Sequence, residues 1–132
     1  MIVIKRIYEV PEDTDGERIL VDRLWSRGIS REEAKIDLWL KDLAPSETLR
    51  TWFDHDPGRW EEFKKRYTQE LKTHKTDIDL IRSKSRAGRV TLLFASKDTE
   101  HNNAVVLLDH LTQPSMFQFQ KITRIPRYFL LI

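Results

Sequence analysis

The chain has 132 residues, enough for one domain with a substantial hydrophobic core. It contains no cysteine, which excludes disulfides, a thiolate nucleophile and cysteine-ligated metals. Its net charge of +2, from 23 basic and 21 acidic residues, gives no global field that would attract nucleic acid.

Residues 2–8 are rich in β-branched side chains and are predicted to form the first strand. Charges at Lys5 and Arg6 interrupt this segment, so it resembles neither a signal peptide nor a membrane span. We therefore expect a cytoplasmic protein that does not contact a membrane.

A turn-rich acidic segment, residues 11–16, precedes a second apolar strand at residues 18–23. The interval between the two strands is too short for a crossover helix. Two arrangements therefore remain open: the strands pair antiparallel, or an irregular loop joins them.

A capping box of Ser30 and Glu33 predicts a helix that runs to about Leu43 and is stopped by Pro45. One face of this helix would carry Ile36, Trp39, Leu40 and Leu43.

Three further helices are predicted before the central strand. Ser46 is expected to cap a short helix ending near Phe53, and Asp56 followed by Pro57 is typical of a second start. The apolar stripe of the second helix is Trp60, Phe63, Tyr67 and Leu71. The third helix is predicted at residues 76–86, with Gly88 after its end.

Residues 90–95 form an almost unbroken apolar run, followed by the polar turn 96–99 and a helical pattern. The pattern consists of Ala104, Leu107, Leu108 and Leu111. A fully apolar strand is typical of a parallel sheet buried on both faces. We predict a single α/β domain at residues 1–113, with a small, mostly parallel or mixed sheet flanked by helices.

Residues 114–132 are predicted to be a separate C-terminal tail, because Pro114 breaks the chain after the last helix. The tail ends in the apolar run YFLLI, which we expect to form a strand or an interface. A homodimer formed through this tail is one alternative.

The first candidate site is VDRLWSRG, residues 21–28, where Asp22 and Arg23 end a strand and Trp25 and Arg27 follow in the loop. The planar guanidinium fork suits phosphate or carboxylate, and Trp25 would stack on a planar ligand such as a nucleotide. In the structural alternative, Asp22 pairs with Arg23 and Trp25 fills the edge of the core.

The second candidate site follows the strand at residues 90–95, where ligands of α/β sheets usually bind. Asp98 or Thr99 is predicted to cap the next helix, whose free N–H groups would attract an anion. His101 titrates near neutrality and could act as general acid or base. The residues assigned to this site are Lys97, Asp98, Thr99, His101 and Asn102. The alternative is a capped helix with polar residues in its first turn.

A third segment, residues 52–60, places His55 between two caps, either as a second titrating group or among core aromatic residues. No phosphate loop, dinucleotide fingerprint or nucleophile elbow is present. The four histidines show no zinc spacing, so the sequence indicates no metal and identifies no cofactor.

Four stretches in this order resemble the YeaO-like branch of the family called domain of unknown function 488. They are residues 21–28, 39–46, 52–60 and 98–107. The resemblance covers about residues 2–111 and implies a small bacterial α/β domain, without implying an activity. Family members usually have proline where this chain has Ser26, which stiffens the loop, and the tail from Pro114 has no counterpart.

The leading hypothesis is an enzyme or enzyme-like domain acting on a small, phosphate-bearing or nucleotide-like anion. Arg23 and Arg27 would bind the anion, Asp22 and His101 would transfer protons, and Trp25 would stack. The runner-up is a nucleic-acid-binding or regulatory module whose basic face would comprise Arg6, Arg23, Arg27, Lys41 and Arg59. A third hypothesis is a protein that docks a partner or a second copy through its tail.

Overall fold

A computed structural model describes residues 1–113, so the predicted tail at residues 114–132 lies outside the described residues. The described chain contains one four-stranded sheet in the order β1-β4-β2-β3. The strands are β1 (Ile2–Arg6), β2 (Glu17–Leu20), β3 (Leu38–Trp39) and β4 (Val90–Phe94). All three pairings are parallel, which confirms the α/β fold with a parallel sheet.

Strand β4 is the centre of the sheet, and every one of its residues is buried. Leu92 lies opposite Ile4 of β1 and Ile19 of β2. The buried position explains why this strand reads as a continuous apolar run instead of an alternating pattern.

Strands β1 and β2 both pair with β4 and not with each other, so they do not form the antiparallel pair that the sequence left open. An irregular loop joins them instead. It contains a 3-10 turn at Asp13–Asp15 and ends at Gly16. Gly16 has a φ of +67°, and a Cβ there would lie 2.1 Å from the carbonyl oxygen of Arg89. Only glycine allows the chain to enter β2 this close to the start of β4.

Within residues 1–113, five α-helices accompany the sheet: α1 (Arg31–Ala34), α2 (Glu47–Phe53), α3 (Trp60–Leu71), α4 (Lys75–Ala87) and α5 (Asn103–Thr112). The predicted caps Ser30, Ser46 and Asp56 are confirmed, since each side chain accepts a backbone N–H bond. A 3-10 turn, Pro57–Arg59, lies between the Asp56 cap and α3. No helix in the described range is both long and apolar enough to cross a membrane.

The predicted helix from Ser30 to Leu43 is wrong. Helix α1 ends after four residues, where Lys35 adopts a left-handed φ of 47°. The Asp37 carboxylate and N–H then bond the backbone of Arg18, which draws the following residues into β3 beside β2. A 3-10 turn at Lys41–Leu43 completes the segment.

Two hydrophobic clusters lie on opposite faces of the sheet. The larger one includes core residues of β2, β4 and the helices α2 to α5. The smaller one consists of Ile7, Leu20, Ala34 and Leu93, with Trp25, Ile29, Ile36, Trp39 and Ala95 packed against it. The segment between β2 and β3 therefore covers the face that the longer helices leave open, and it borders the edge described next.

Candidate functional site

The carboxyl ends of β1, β4 and β2 lie at one edge of the sheet, because these strands are parallel. A cavity of about 500 Å³ lies at this edge, between the segment that follows β2, the turn that follows β4, and α2. Parallel sheets usually bind ligands at this position, in cavities of this size. Seven titratable side chains line it: Tyr8, Asp22, Arg23, Arg27, Arg50, His55 and His101.

Asp22 joins the ends of β2 and β4 to the start of α5. One carboxylate oxygen accepts the Ala95 N–H at 2.9 Å, and the other accepts from Asn103 Nδ2 at 3.2 Å. Burial raises the pKa of Asp22 above its ordinary value, although these two bonds and the charge of Arg50 oppose the rise. No ion pair in residues 1–113 joins Asp22 to Arg23, so the structure does not show the pairing of the structural alternative.

Three arginines line the cavity, and none of them forms an ion pair within the described residues. Arg23 donates only to the carbonyl oxygens of Ala44 and Pro45, at 3.3 to 3.4 Å, which is long for a hydrogen bond. The side chains of Arg27 and Arg50 are exposed. The cavity thus combines three permanent positive charges with one carboxyl group, an arrangement that attracts anions.

The segment that follows β2 is held by aromatic side chains. The Tyr8 hydroxyl donates to the carbonyl oxygen of Arg27 at 2.6 Å, and Trp25 Nε1 donates to that of Ile29 at 2.8 Å. The Trp25 ring meets Trp39 edge to face, with ring centroids 5.6 Å apart. Trp25 therefore packs against the smaller core and also lines the cavity.

The turn that follows β4 uses most of its polar groups internally. The Asp98 carboxylate accepts the N–H groups of Glu100 and His101, each at 2.9 Å, and contacts His101 Nδ1 at 3.0 Å. The two backbone bonds lower the pKa of Asp98 below its ordinary value. The imidazole of His101 also meets the Trp60 ring edge to face, at 5.2 Å between centroids.

The predicted cap of α5 is wrong, because Asn102 caps this helix instead of Asp98 or Thr99. Asn102 Oδ1 accepts the Val105 N–H at 3.1 Å, and its Nδ2 donates to the Asp98 carbonyl at 2.9 Å. Both the oxygen and the nitrogen of the Asn102 amide are therefore bonded to the protein. Asp98 instead closes the turn, which delays the helix start to Asn103.

His55 lies in the turn that follows α2 and lines the cavity. Asp54 and His55 both have left-handed φ values, of 46° and 53°. Such backbone conformations of non-glycine residues cost on the order of 1 kcal/mol each and concentrate at functional sites. The sequence left open whether His55 would reach the site or lie among core aromatic residues, and the structure places it in the cavity wall.

The structure brings together most, but not all, of the predicted site residues. Those lining the cavity are Asp22, Arg23, Trp25, Arg27, His101 and Asn102. Lys97, Asp98 and Thr99 do not line it. Lining residues that the prediction missed include Tyr8, Ser26, Arg50 and Asn103. Arg50 carries no sequence signal, because it comes from α2, whose position depends on tertiary packing.

Three cations of the predicted basic face do not line the cavity and contact other groups of the protein. Arg6 donates to the carbonyl oxygens of Ala95 and Ser96. Lys41 lies over the Trp39 ring at 4.3 Å, and Arg59 donates to the Trp52 carbonyl. Within residues 1–113, no group of three histidine or acidic side chains could hold a metal ion.

Comparison with known proteins identifies a family. A family profile described as the inactive DUF488-N3 subclade matches residues 1–123. The uncharacterized protein YeaO of Escherichia coli is 38% identical over 110 residues, which cover 83% of this chain and 96% of YeaO. Uncharacterized proteins of Mycobacterium tuberculosis and Mycobacterium bovis are each 38% identical over 104 residues, covering 79% of this chain and 87% of theirs. No solved structure matches significantly.

Proposed function

Because this chain belongs to the domain of unknown function 488 family, within a subclade described as inactive, we propose that it binds a small anion without transforming it. The anion bears a phosphate or resembles a nucleotide, and its site is the cavity at the carboxyl ends of the strands. One observation carries the proposal: Arg23, Arg27 and Arg50 line this cavity without an ion-pair partner in residues 1–113.

The arrangement of charges supports an anion over a cation. Asp22 is the single acidic residue among the described lining residues, and both of its carboxylate oxygens accept bonds from the protein itself. Guanidinium groups present planar pairs of donors to phosphate oxygens and remain charged at every physiological pH. Binding a phosphate would therefore supply the negative charge that the cavity lacks.

The apolar part of the wall supports an organic ligand attached to the phosphate. Pro45, Phe53 and Phe63 line the cavity, and the two phenyl rings stack with centroids 4.4 Å apart. Trp25, which is only partly buried, adds a surface for a ring or a short hydrocarbon. This combination of apolar walls and a few polar groups is typical of small-molecule sites.

The predicted proton-transfer roles of Asp22 and His101 belong to the alternative in which the anion is transformed. In the binding proposal, Asp22 braces the cavity and His101, oriented by Asp98, contributes to its wall. The nucleic-acid alternative gains no support from Arg6, Lys41 and Arg59, because none of the three lines the cavity together with Arg23 and Arg27.

The test is a thermal-shift panel of phosphate, sulfate, mononucleotides and short single-stranded nucleic acid, applied to wild type and to Arg23→Ala. A ligand at about 100 times its dissociation constant stabilises the folded state by roughly 2.7 kcal/mol. That free energy raises the Tm by several degrees. We expect a rise with phosphate or a mononucleotide that is largely lost in Arg23→Ala, since charge-assisted hydrogen bonds contribute about 1.5–3 kcal/mol.

Arg86→Ala is the matched control, because Arg86 is exposed near the end of α4 and lies outside the cavity. It removes the same charge and should respond to anions as wild type does. If the anion-induced rise in Tm were lost equally in Arg23→Ala and Arg86→Ala, the rise would depend on net charge and not on the cavity. If no anion raised the Tm of wild type, the proposal would be refuted.

A further inference from the structure

Ser26 is a buried hydroxyl at the cavity that has no bond to the protein. The residue is 5% exposed and lines the cavity between Trp25 and Arg27. Its Oγ is the single buried side-chain nitrogen or oxygen in residues 1–113 without a hydrogen-bond partner. A buried hydroxyl left unbonded costs about 1–3 kcal/mol.

Other buried hydroxyls in this fold are bonded. Thr91 Oγ1 donates to the Asp15 carbonyl at 2.6 Å, and the Tyr67 hydroxyl donates to the Leu43 carbonyl at 2.7 Å. Both residues are completely buried. The fold thus satisfies its interior hydroxyls, and the exception lies where a ligand is expected.

Hydrogen bonds tie the backbone on both sides of Ser26. The main chain is tied on one side through Asp22, whose carbonyl accepts Trp39 Nε1 at 2.7 Å. On the other side, the Arg27 carbonyl accepts the Tyr8 hydroxyl. A donor held in this way is preorganised, because a ligand that bonds it does not have to order the loop.

We propose that Ser26 Oγ donates a hydrogen bond to a phosphate oxygen of the ligand, and that the ligand is a phosphomonoester. This inference rests on the proposed function and names the ligand class and a further binding residue. A carboxylate has two oxygens, which one guanidinium fork satisfies. A terminal phosphate has three acceptor oxygens, which match several arginines together with a hydroxyl donor.

The size of the cavity separates a phosphomonoester from inorganic phosphate. A bare phosphate ion would occupy only a small part of about 500 Å³ and would leave the apolar part of the cavity wall, to which Phe53 and Phe63 contribute, uncovered by a ligand. An ester group fills the remaining space against this apolar wall. An aromatic phosphomonoester should therefore bind more tightly than phosphate itself.

The experiment is calorimetric titration of the full chain with phenyl phosphate, inorganic phosphate and benzoate at pH 8. The proteins are wild type, Ser26→Ala, Arg23→Ala and the matched control Ser83→Ala, because Ser83 is an exposed serine of α4. We expect phenyl phosphate to bind Ser26→Ala about ten-fold more weakly than wild type. Ser83→Ala should bind like wild type, and benzoate should bind weakly to all three.

The Tm of the ligand-free proteins distinguishes a binding role from a structural one. Ser26→Ala removes a hydroxyl that has no bond to the protein, so its Tm should equal or exceed that of wild type. A lower Tm with unchanged affinity would assign Ser26 to the fold and overturn the inference. Binding that depends on Arg23 but not on Ser26 would overturn only the inference. If wild type bound none of the probes, the proposed function would fail as well.

Discussion

Two charged clusters at β2 differ in how their arginines are paired. Arg18 is 4% exposed, and its guanidinium bonds the Asp15 carboxylate and the Ala34 carbonyl. Lys5 completes this closed cluster by donating to Asp15 at 3.2 Å. Arg23, just beyond the other end of β2, bonds only two carbonyl oxygens at long distance.

The difference shows that this fold gives its buried arginine, Arg18, a carboxylate and a carbonyl acceptor, whereas the partly buried Arg23 has no carboxylate partner. A buried charge without a partner is strongly destabilising, which explains why Arg18 is surrounded by acceptors. Arg23 is only partly buried and lines the cavity, so water can solvate its guanidinium. Cations that are left unpaired at a concave edge are therefore better candidates for binding than cations in a complete network.

The two aspartates show the same contrast in their pKa values. Burial by itself would raise the pKa of Asp15, but bonds from the Glu12 N–H, Lys5 and Arg18 outweigh it, and the pKa lies below its ordinary value. For Asp22, burial outweighs the bonds, and the pKa lies above its ordinary value. Asp15 therefore stabilises the fold as an anion, whereas ionisation of Asp22 destabilises it.

The largest effect is expected from Asp15→Ala, which breaks the closed cluster. Removing this carboxylate leaves Arg18 buried without its counterion, and the free energy of unfolding should fall by about 3–5 kcal/mol. Urea denaturation followed by circular dichroism measures the change. The lowered pKa of Asp15 means that its stabilisation is present above the unfolded value near 3.8 and is lost at lower pH. The difference from wild type should therefore shrink below about pH 4.

Asp13→Ala is the matched control for Asp15→Ala, since Asp13 is an exposed aspartate in the same 3-10 turn. Its effect should stay within about 0.5 kcal/mol of wild type. A loss of similar size in both variants would mean that the turn, and not the closed cluster, depends on the charge.

A smaller loss of stability, of about 1–3 kcal/mol, is expected from Asp22→Ala. The Ala95 N–H and the Asn103 amide lose an acceptor, but no buried cation is left unpaired. The same change removes the carboxyl group from the cavity, so phenyl phosphate should bind a few-fold more tightly. Denaturation and calorimetry on this variant should thus change in opposite directions.

The pH dependence of Asp22→Ala should also be opposite to that of Asp15→Ala. A raised pKa makes the ionised carboxyl costly above the folded value, and this cost disappears as the pH falls towards the unfolded value near 3.8. Wild type should therefore gain stability relative to Asp22→Ala between neutral pH and pH 4. A difference that stays constant over this range would contradict the assigned direction of the pKa.

The central strand and the helix caps could be predicted because they depend on local patterns. The helix expected from Ser30 to Leu43 failed because the same residues also fit a strand between two cores. Leu38 and Leu40 pack on the larger cluster, whereas Trp39 packs on the smaller one. A single sequence does not reveal that a second core exists on the other face of the sheet.

The candidate site divides in the same way. Arg23 and His101 could be placed together because the ends of parallel strands meet at one edge. Arg50 and the unpartnered hydroxyl of Ser26 could not be foreseen, since they depend on how α2 and the loop pack. The sequence predicts that Asp98 contributes to the binding site. In the structure its carboxylate accepts two backbone N–H groups of its own turn, as short polar side chains commonly do.

The smallest effect is expected from Lys97→Ala, which tests the turn after β4 against the segment after β2. Lys97 is exposed and does not line the cavity, so the affinity of the Lys97→Ala protein for phenyl phosphate should stay within about two-fold of wild type. Thr99→Ala, another exposed residue of this turn, should behave in the same way. Calorimetric titration with phenyl phosphate measures the affinities of both variants, with Arg23→Ala titrated for comparison. A ten-fold loss in Lys97→Ala would return the binding site to the turn after β4 and would mean that this turn rearranges around the ligand. An unchanged affinity would leave the arginines of the cavity as the groups that hold the anion.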